Sequence, residues 1–109
     1  MQHYLAFDLG AESGRAMLGT LSSQGLALEE LHRFPNTPVR VFQSLYWDTL
    51  RLWHEIQHGI GIAARERRLV PAGIGIDTWG ADFALLGRDG ALLENPHHYR
   101  DPRTNGVME

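Results

Sequence analysis

Near the start of the chain, residues 7–15 read Phe-Asp-Leu-Gly-Ala-Glu-Ser-Gly-Arg. An apolar run over residues 4–7 meets an acid, Asp8, and a short turn bounded by Gly10 and Gly14 leads to Arg15. Glycines let backbone N–H groups approach a phosphate closely, and several such groups in a tight turn form an anion nest. Ser13 adds a hydroxyl and Arg15 a cation. Asp8 beside that nest would repel phosphate unless a divalent cation lay between them. Mg2+ is commonly held by one or two carboxylates together with phosphate oxygens. The same residues suit an ordinary hairpin with a surface acid, and spacing alone leaves both readings open. The stretch is neither a GxxxxGK[ST] nor a GxGxxG motif.

Three further groups carry chemistry-bearing types. His54-Glu55-Ile56-Gln57-His58 matches HExxH, a zinc-protease pattern. On a helix, both histidines fall about 130–170° from the centre of the apolar stripe, by helix geometry. A catalytic zinc needs a third protein ligand and a cleft, so a solvated polar face is the expectation. His97 and His98 follow Pro96 and read as a surface loop, since adjacent side chains in extended backbone point opposite ways. Trp47, Trp53 and Phe42 are expected to pack in the core or at the helix start. Trp79 stands between Asp77 and Asp82, where a ligand-facing ring and a core ring are equally admissible.

Composition narrows the classes. The chain has 109 residues, a formal charge of −3 and no cysteine. Such a balance gives no support to nucleic-acid or membrane-surface binding, and disulfides and thiolate sites are excluded. No apolar run approaches the ~20 residues of a membrane span. Asp8, Glu12 and Arg15 interrupt any leader-like segment, so a cytoplasmic compartment is expected.

The elements that must position these residues follow from periodicity. Three strands come first, the first two joined by the glycine turn and the third following Ser22-Ser23-Gln24-Gly25, with helix as the competing reading for that third element. Residues 35–47 read as an irregular connection. A helix over residues 48–67 buries Leu50, Trp53, Ile56, Ile60, Ala63 and Ala64, with Gly59 and Gly61 inside it at a cost of about 1 kcal/mol each. Residues 74–76 form a strand ending at Asp77, and residues 83–94 form a hairpin around Arg88-Asp89-Gly90. The tail starts a helix near Thr104. The expected order is β-β-β-α-β-β-β in a mixed α/β sheet. A strand–helix–strand connection should be parallel, which would set Asp8 and Asp77 at one carboxyl edge, where α/β sheets bind ligands.

Several segments together resemble the rhamnulokinases of the FGGY carbohydrate kinase family: FDLGAESGRAMLG, HRFPN and GIGIDTWGADFALLGRDGALLENPHHYRDPRTNG. The resemblance covers almost the whole chain, and DTWGADF followed by YRDPRTNG is its most specific part. It implies the ribonuclease-H-like fold shared by sugar kinases, actin and heat-shock ATPases. It also implies transfer of the ATP γ-phosphate to the 1-hydroxyl of L-rhamnulose, with ATP and Mg2+, in rhamnose breakdown. Ala11, Glu12, Ser13, Gly14 and Arg15 would then bind the ATP phosphates, and Asp8 would face magnesium through water. Gly80 would contact the sugar by its backbone, Asp82 and Phe83 would line its pocket, and Arg100, Asp101 and Arg103 would shape its outer wall.

Two departures from the family pattern stand out. Glu12 occupies a place where such hairpins usually carry a smaller or hydroxyl residue, so its charge must turn away or be paired. The family's proteins are also several times longer, with ATP and sugar held between two domains. Residues 1–109 would be the first part of the first domain, with the catalytic base and adenine pocket beyond Glu109. Such a fragment should be inactive and should self-associate through uncovered apolar surface. Competing classes are another FGGY kinase, an actin-like nucleotide-binding protein, a zinc peptidase and a regulatory domain. Sugar-dependent ATP consumption separates the first two, and a metal assay on His54→Ala addresses the third.

Overall fold

A computed structural model describes residues 1–107. The chain divides into two compact units. The first comprises Met1–Asn36 and Leu50–Trp79; the second comprises Thr37–Thr49 and the chain from Gly80 onward.

The first unit is a four-stranded mixed sheet with a helix on one face. Strands β1 (Gln2–Leu9), β2 (Ser13–Ser22) and β3 (Gly25–Pro35) form an antiparallel meander. Two further strands, β4 (Val39–Val41) and β5 (Ser44–Tyr46), belong to the second unit. Helix α1 (Thr49–Gly61) precedes β6 (Gly73–Thr78), which lies parallel to β1, so the sheet order is β3-β2-β1-β6. Parallel pairing follows from the crossover through α1.

Alternation decides which face of β1 is buried. Leu5, Phe7 and Leu9 point toward α1 and join Ala16, Phe34, Ile56 and Ala63 in one core cluster. Leu31, Leu52, Ile60 and Trp79 pack at its margin. The helix therefore turns a somewhat different face inward than the sequence predicts. Ile56, Ile60 and Ala63 face the core as expected, whereas Leu50 and Ala64 are exposed and Trp53 is 56% exposed. The reason lies at Gly59. A methyl group there would sit 2.8 Å from Phe7 Cε1 and 2.9 Å from the Ala16 methyl. The glycine lets the helix backbone lie directly on the sheet, which rotates the large side chains at 50 and 53 outward.

The helix passes into a π-helical turn, Ile62–Glu66, closed by Arg67 N–H donating to the Ile62 carbonyl (3.0 Å). The Arg67 guanidinium makes a two-pronged ion pair with Glu29 of β3 (2.7 and 2.8 Å), and Arg68 then turns into left-handed backbone (φ 53°).

In the second unit, β4 and β5 pair as a hairpin over residues expected to be irregular. Its turn holds Phe42 at φ 54°, a position that glycine or asparagine usually marks, and leaves the ring 95% exposed rather than in the core. The Arg88-Asp89-Gly90 turn forms, with Gly87 and Ala91 bonded and Gly90 at φ 81°. Its arms make only the Leu86–Leu92 bridge and not two strands. The observed order is thus β-β-β-β-β-α-β within the expected α/β class. The tail contributes one 3-10 turn, Pro102–Thr104, rather than the start of a longer helix.

Candidate functional site

The glycine turn joins β1 to β2 and is tightly braced. Gly10 N–H donates to the Ser13 carbonyl (3.0 Å), and a Cβ at Gly10 would lie 2.8 Å from that oxygen. Asn36, buried just beyond β3, holds the turn from behind. Its side-chain amide donates to the Gly10 carbonyl (2.9 Å) and its backbone N–H to the Glu12 carbonyl (2.9 Å). Gly14 is buried beneath the Phe34 ring, which leaves no room for a side chain. Ala11 and Ser13 are half-buried in the turn, and the Glu12 side chain is exposed to solvent.

Antiparallel register places Asp8 opposite Arg15, and parallel register places it beside Asp77. The expected pairing of the two acids at one carboxyl edge is present. Arg15 Nη2 donates to Asp8 Oδ2 (2.6 Å), so the nearer carboxylate already carries a counter-charge. Arg15 Nε is buried with no hydrogen-bond partner among the described residues. Asp77 Oδ1 accepts from the Thr78 N–H (3.0 Å). Trp79 is half-buried against the core cluster.

On α1, His54 and His58 are exposed; Glu55 meets His32 Nε2 of β3 (2.5 Å), and the His58 ring lies 4.6 Å from the same His32 ring. Burial works against the Glu55 charge, but His32, His54 and Arg51 hold its carboxyl below the usual range. Among the described residues no group of three or more histidines or acids is placed to hold a metal.

The second unit contains a depression of about 210 Å3. Asp82, Phe83, Asp101 and Arg103 all line it, so four of the six residues proposed for sugar contact meet there. Gly80 and Arg100 are exposed outside its lining. Nothing lies within 4 Å of a Cβ placed on Gly80, and the Arg100 guanidinium sits over the Tyr99 ring.

Asp101 is a buried fastener as well as a wall residue. Its Oδ1 accepts from Leu45 N–H (2.6 Å) and its Oδ2 from Arg103 N–H (3.1 Å), capping the 3-10 turn. The Leu45 bond is the main cause holding this carboxyl below its ordinary range; burial opposes it and the Arg103 bond assists.

Two residues beside the depression were given no part in it by the sequence, Trp47 being expected, correctly, in a packed position. Trp47, 1% exposed, donates its indole N–H to Asp82 Oδ2 (2.5 Å). His98, expected on a surface loop, is only 4% exposed and stacks on Trp47 with ring centroids 4.2 Å apart. Its backbone N–H bonds to Leu45, which draws the loop inward. Burial pushes the His98 imidazole below its usual value, Asp82 opposes that shift and Arg100 adds to it. The signal for His98 was its neighbour, since an adjacent pair in extended backbone must send one ring inward.

Comparison with known proteins covers both sites. No family model matches the chain. The rhamnulokinase of Bacteroides thetaiotaomicron is 49% identical over 108 residues, 99% of this chain and 22% of that protein. The chain is similar in sequence to rhamnulokinases. The rhamnulokinase of Pectobacterium carotovorum is 44% identical over 110 residues, again 22% of its length. The chain thus spans about a fifth of the length of the curated relatives it matches. In fold it resembles xylulose kinases from Lactobacillus acidophilus and Rhodospirillum rubrum, each with a TM-score of 0.72. Those structures are 16% and 21% identical and overlie 93% and 96% of this chain. The fold is that of the sugar kinases, as the resemblance implied. No helix among the described residues is long and apolar enough to cross a membrane.

Proposed function

We propose that residues 1–109 are the opening part of the first domain of an ATP-dependent sugar kinase. The intact protein would transfer the γ-phosphate of ATP to the 1-hydroxyl of L-rhamnulose, in the cytoplasm, as a step of rhamnose breakdown. The observation that carries this reading is the 49% identity to a rhamnulokinase, in a match that spans both the glycine turn and the 80–103 segment.

The residues suit the implied groups. The braced turn of Ala11, Glu12, Ser13 and Gly14 would offer its backbone amides to phosphate, and the unbonded Arg15 Nε leaves a donor for a phosphate oxygen. Asp8 and Asp77 lie side by side at the strand ends, the kind of oxygen donor set a hydrated Mg2+ takes. Bound there, Mg2+ would offset phosphate charge and stabilise the charge that develops during transfer. Arg15 lies opposite Asp8 across the β1–β2 ladder, so its guanidinium neutralises the acid while its Nε would serve phosphate. Glu12 keeps its charge in solvent and contributes only its backbone.

For the sugar, Asp82 is held by the Trp47 indole N–H, and Asp101, Arg103 and the apolar Phe83 ring line the same depression. Gly80 would approach the sugar through its bare backbone, and Arg100 would close the outer side. Phosphoryl transfer depends mainly on such positioning. The acids here are engaged in turn, wall and cation duties, so the base that accepts the hydroxyl proton is supplied by the remainder of the protein.

The test is ATP consumption by the intact protein with L-rhamnulose, with D-xylulose and without sugar. Turnover dependent on L-rhamnulose is expected. Preference for D-xylulose would make it another ketose kinase, and nucleotide binding without sugar-dependent turnover would favour an actin-like role.

A further inference from the structure

The sugar assignment leaves one buried polar group without a task. His98 is 4% exposed, yet its ring forms part of the depression shared by Asp82, Asp101 and Arg103. Its Nδ1 accepts the Arg100 backbone N–H (2.9 Å). A ring nitrogen that faces an N–H must be unprotonated, so the single proton of the neutral imidazole sits on Nε2. Protonating Nδ1 would turn two donors against each other, and burial also disfavours the cation. Among the described residues Nε2 makes no hydrogen bond. Nε2 is not among the buried unpartnered atoms, so it keeps contact with solvent in the wall of the depression, where an incoming acceptor can take the place of water.

The ring cannot swing to satisfy itself elsewhere. Trp47 stacks on one side at 4.2 Å and 28°, Tyr99 lies 4.4 Å away, and the Arg100 bond fixes rotation about the side chain. Trp47 in turn holds the Asp82 carboxylate. The depression therefore presents an oriented neutral donor and an oriented carboxylate acceptor. A hydroxyl both donates and accepts, so this pair matches the chemistry of a sugar hydroxyl better than that of a phosphate or a cation.

We infer that His98 is a substrate-binding, specificity-determining residue, its Nε2–H donating to a hydroxyl of the sugar while Asp82 accepts from the same region of the substrate. The inference rests on the sugar-kinase reading above.

The experiment uses the intact protein with L-rhamnulose and a set of its deoxy analogues. In His98→Asn the amide oxygen can still accept from Arg100 N–H, but the distal donor is gone. His98→Gln keeps a distal amide donor. His98→Asn is expected to lower kcat/KM for the sugar roughly 10- to 100-fold, mainly through KM, with the KM for ATP unchanged and His98→Gln intermediate. The deoxy analogue lacking the partner hydroxyl should be a poor substrate for wild type and should lose little more in His98→Asn. A folded His98→Asn with unchanged sugar KM, or equal further losses for every analogue, would overturn the role of His98 while leaving the kinase reading intact. Wild-type protein that neither binds nor turns over the sugar, the former read by Trp47 fluorescence, would overturn both.

Discussion

Replacing Gly59 and Gly61 by alanine in turn sets one substitution in two environments on the same helix. Each exchange should gain about 1 kcal/mol of helix propensity. At Gly59 the new methyl lies 2.8 Å from Phe7 Cε1, 2.9 Å from the Ala16 methyl and 3.2 Å from Phe7 Cζ. Ordinary contact begins near 3.4 Å, so helix and sheet must part by more than half an ångström. Phe7 is 1% and Ala16 0% exposed, and neither can move aside. Overpacking of this kind costs about 1–3 kcal/mol, and two rigid neighbours place Gly59→Ala in the upper half of that range. The net loss is about 1–2 kcal/mol, a fall in Tm of roughly 5–15 °C for a chain of this size. At Gly61 the methyl meets only the guanidinium end of Arg65, an exposed and flexible side chain that can swing into solvent. Gly61→Ala should raise Tm by a few degrees on the same scale. Thermal and urea unfolding followed by circular dichroism would measure both. A Gly59→Ala protein as stable as wild type, or two shifts of the same sign, would show that Gly59 does not set the helix–sheet distance.

Three more outcomes are expected. In the intact protein, Arg15→Ala and Asp8→Asn should each lower turnover by about 10²–10³ while leaving Tm close to wild type, since both side chains are half-exposed; steady-state kinetics beside a melting curve would show it. Acid should weaken the second unit in two steps. His98, pushed down in the fold, makes stability fall as pH drops below about 6.5, where the unfolded imidazole takes a proton first. Asp101, also held low, contributes stability above its unfolded value near 3.9 that is lost as pH falls through its folded value. Urea midpoints of His98→Asn should therefore be flatter than wild type from pH 7.5 to 5, and those of Asp101→Asn flatter below about pH 4. Residues 1–109 alone should form no sugar phosphate with ATP, Mg2+ and L-rhamnulose, and should self-associate in sedimentation runs through exposed Leu26, Leu28, Ile74 and Ile76; a monomer with ordinary kinase rates would refute this.

The legible features were those set by local pattern. Apolar runs and turn residues placed β1 to β3, α1 and β6, and the crossover rule then brought Asp8 beside Asp77. What escaped depended on partners distant in sequence. Asn36 braces the glycine turn from 26 residues away, and nothing in its type distinguishes it from a loop asparagine. His98 came to line the depression because the backbone of Leu45 ties to both His98 and Asp101, and Trp47 came to hold Asp82 beside it. The inward face of α1 was misjudged at Trp53 because hydrophobicity ranks tryptophan above glycine, whereas close approach to the sheet favours the residue without a side chain. The four residues that line the depression of the second unit were named through family resemblance and not through spacing, since a pocket has no periodicity.

The second unit is sewn from two stretches of chain, Thr37–Thr49 and the residues from Gly80, with a whole helix and strand threaded between them. On a ribosome these halves emerge at different times. The β4–β5 hairpin is out first, three residues per arm, far too little to hold itself together in water. Its clasp, the Asp101 carboxylate on Leu45 N–H, is encoded 56 residues later. At synthesis rates of about 5–20 residues per second, Trp47 and Val39–Val41 wait roughly 3–11 seconds for that clasp. The meander β1–β3 needs no such wait, because its pairings are all between neighbours in sequence. The nascent protein is therefore expected to order its glycine turn early and the depression around Asp101 late. The residues around Trp47 mark the interval in which a chaperone would have something to hold.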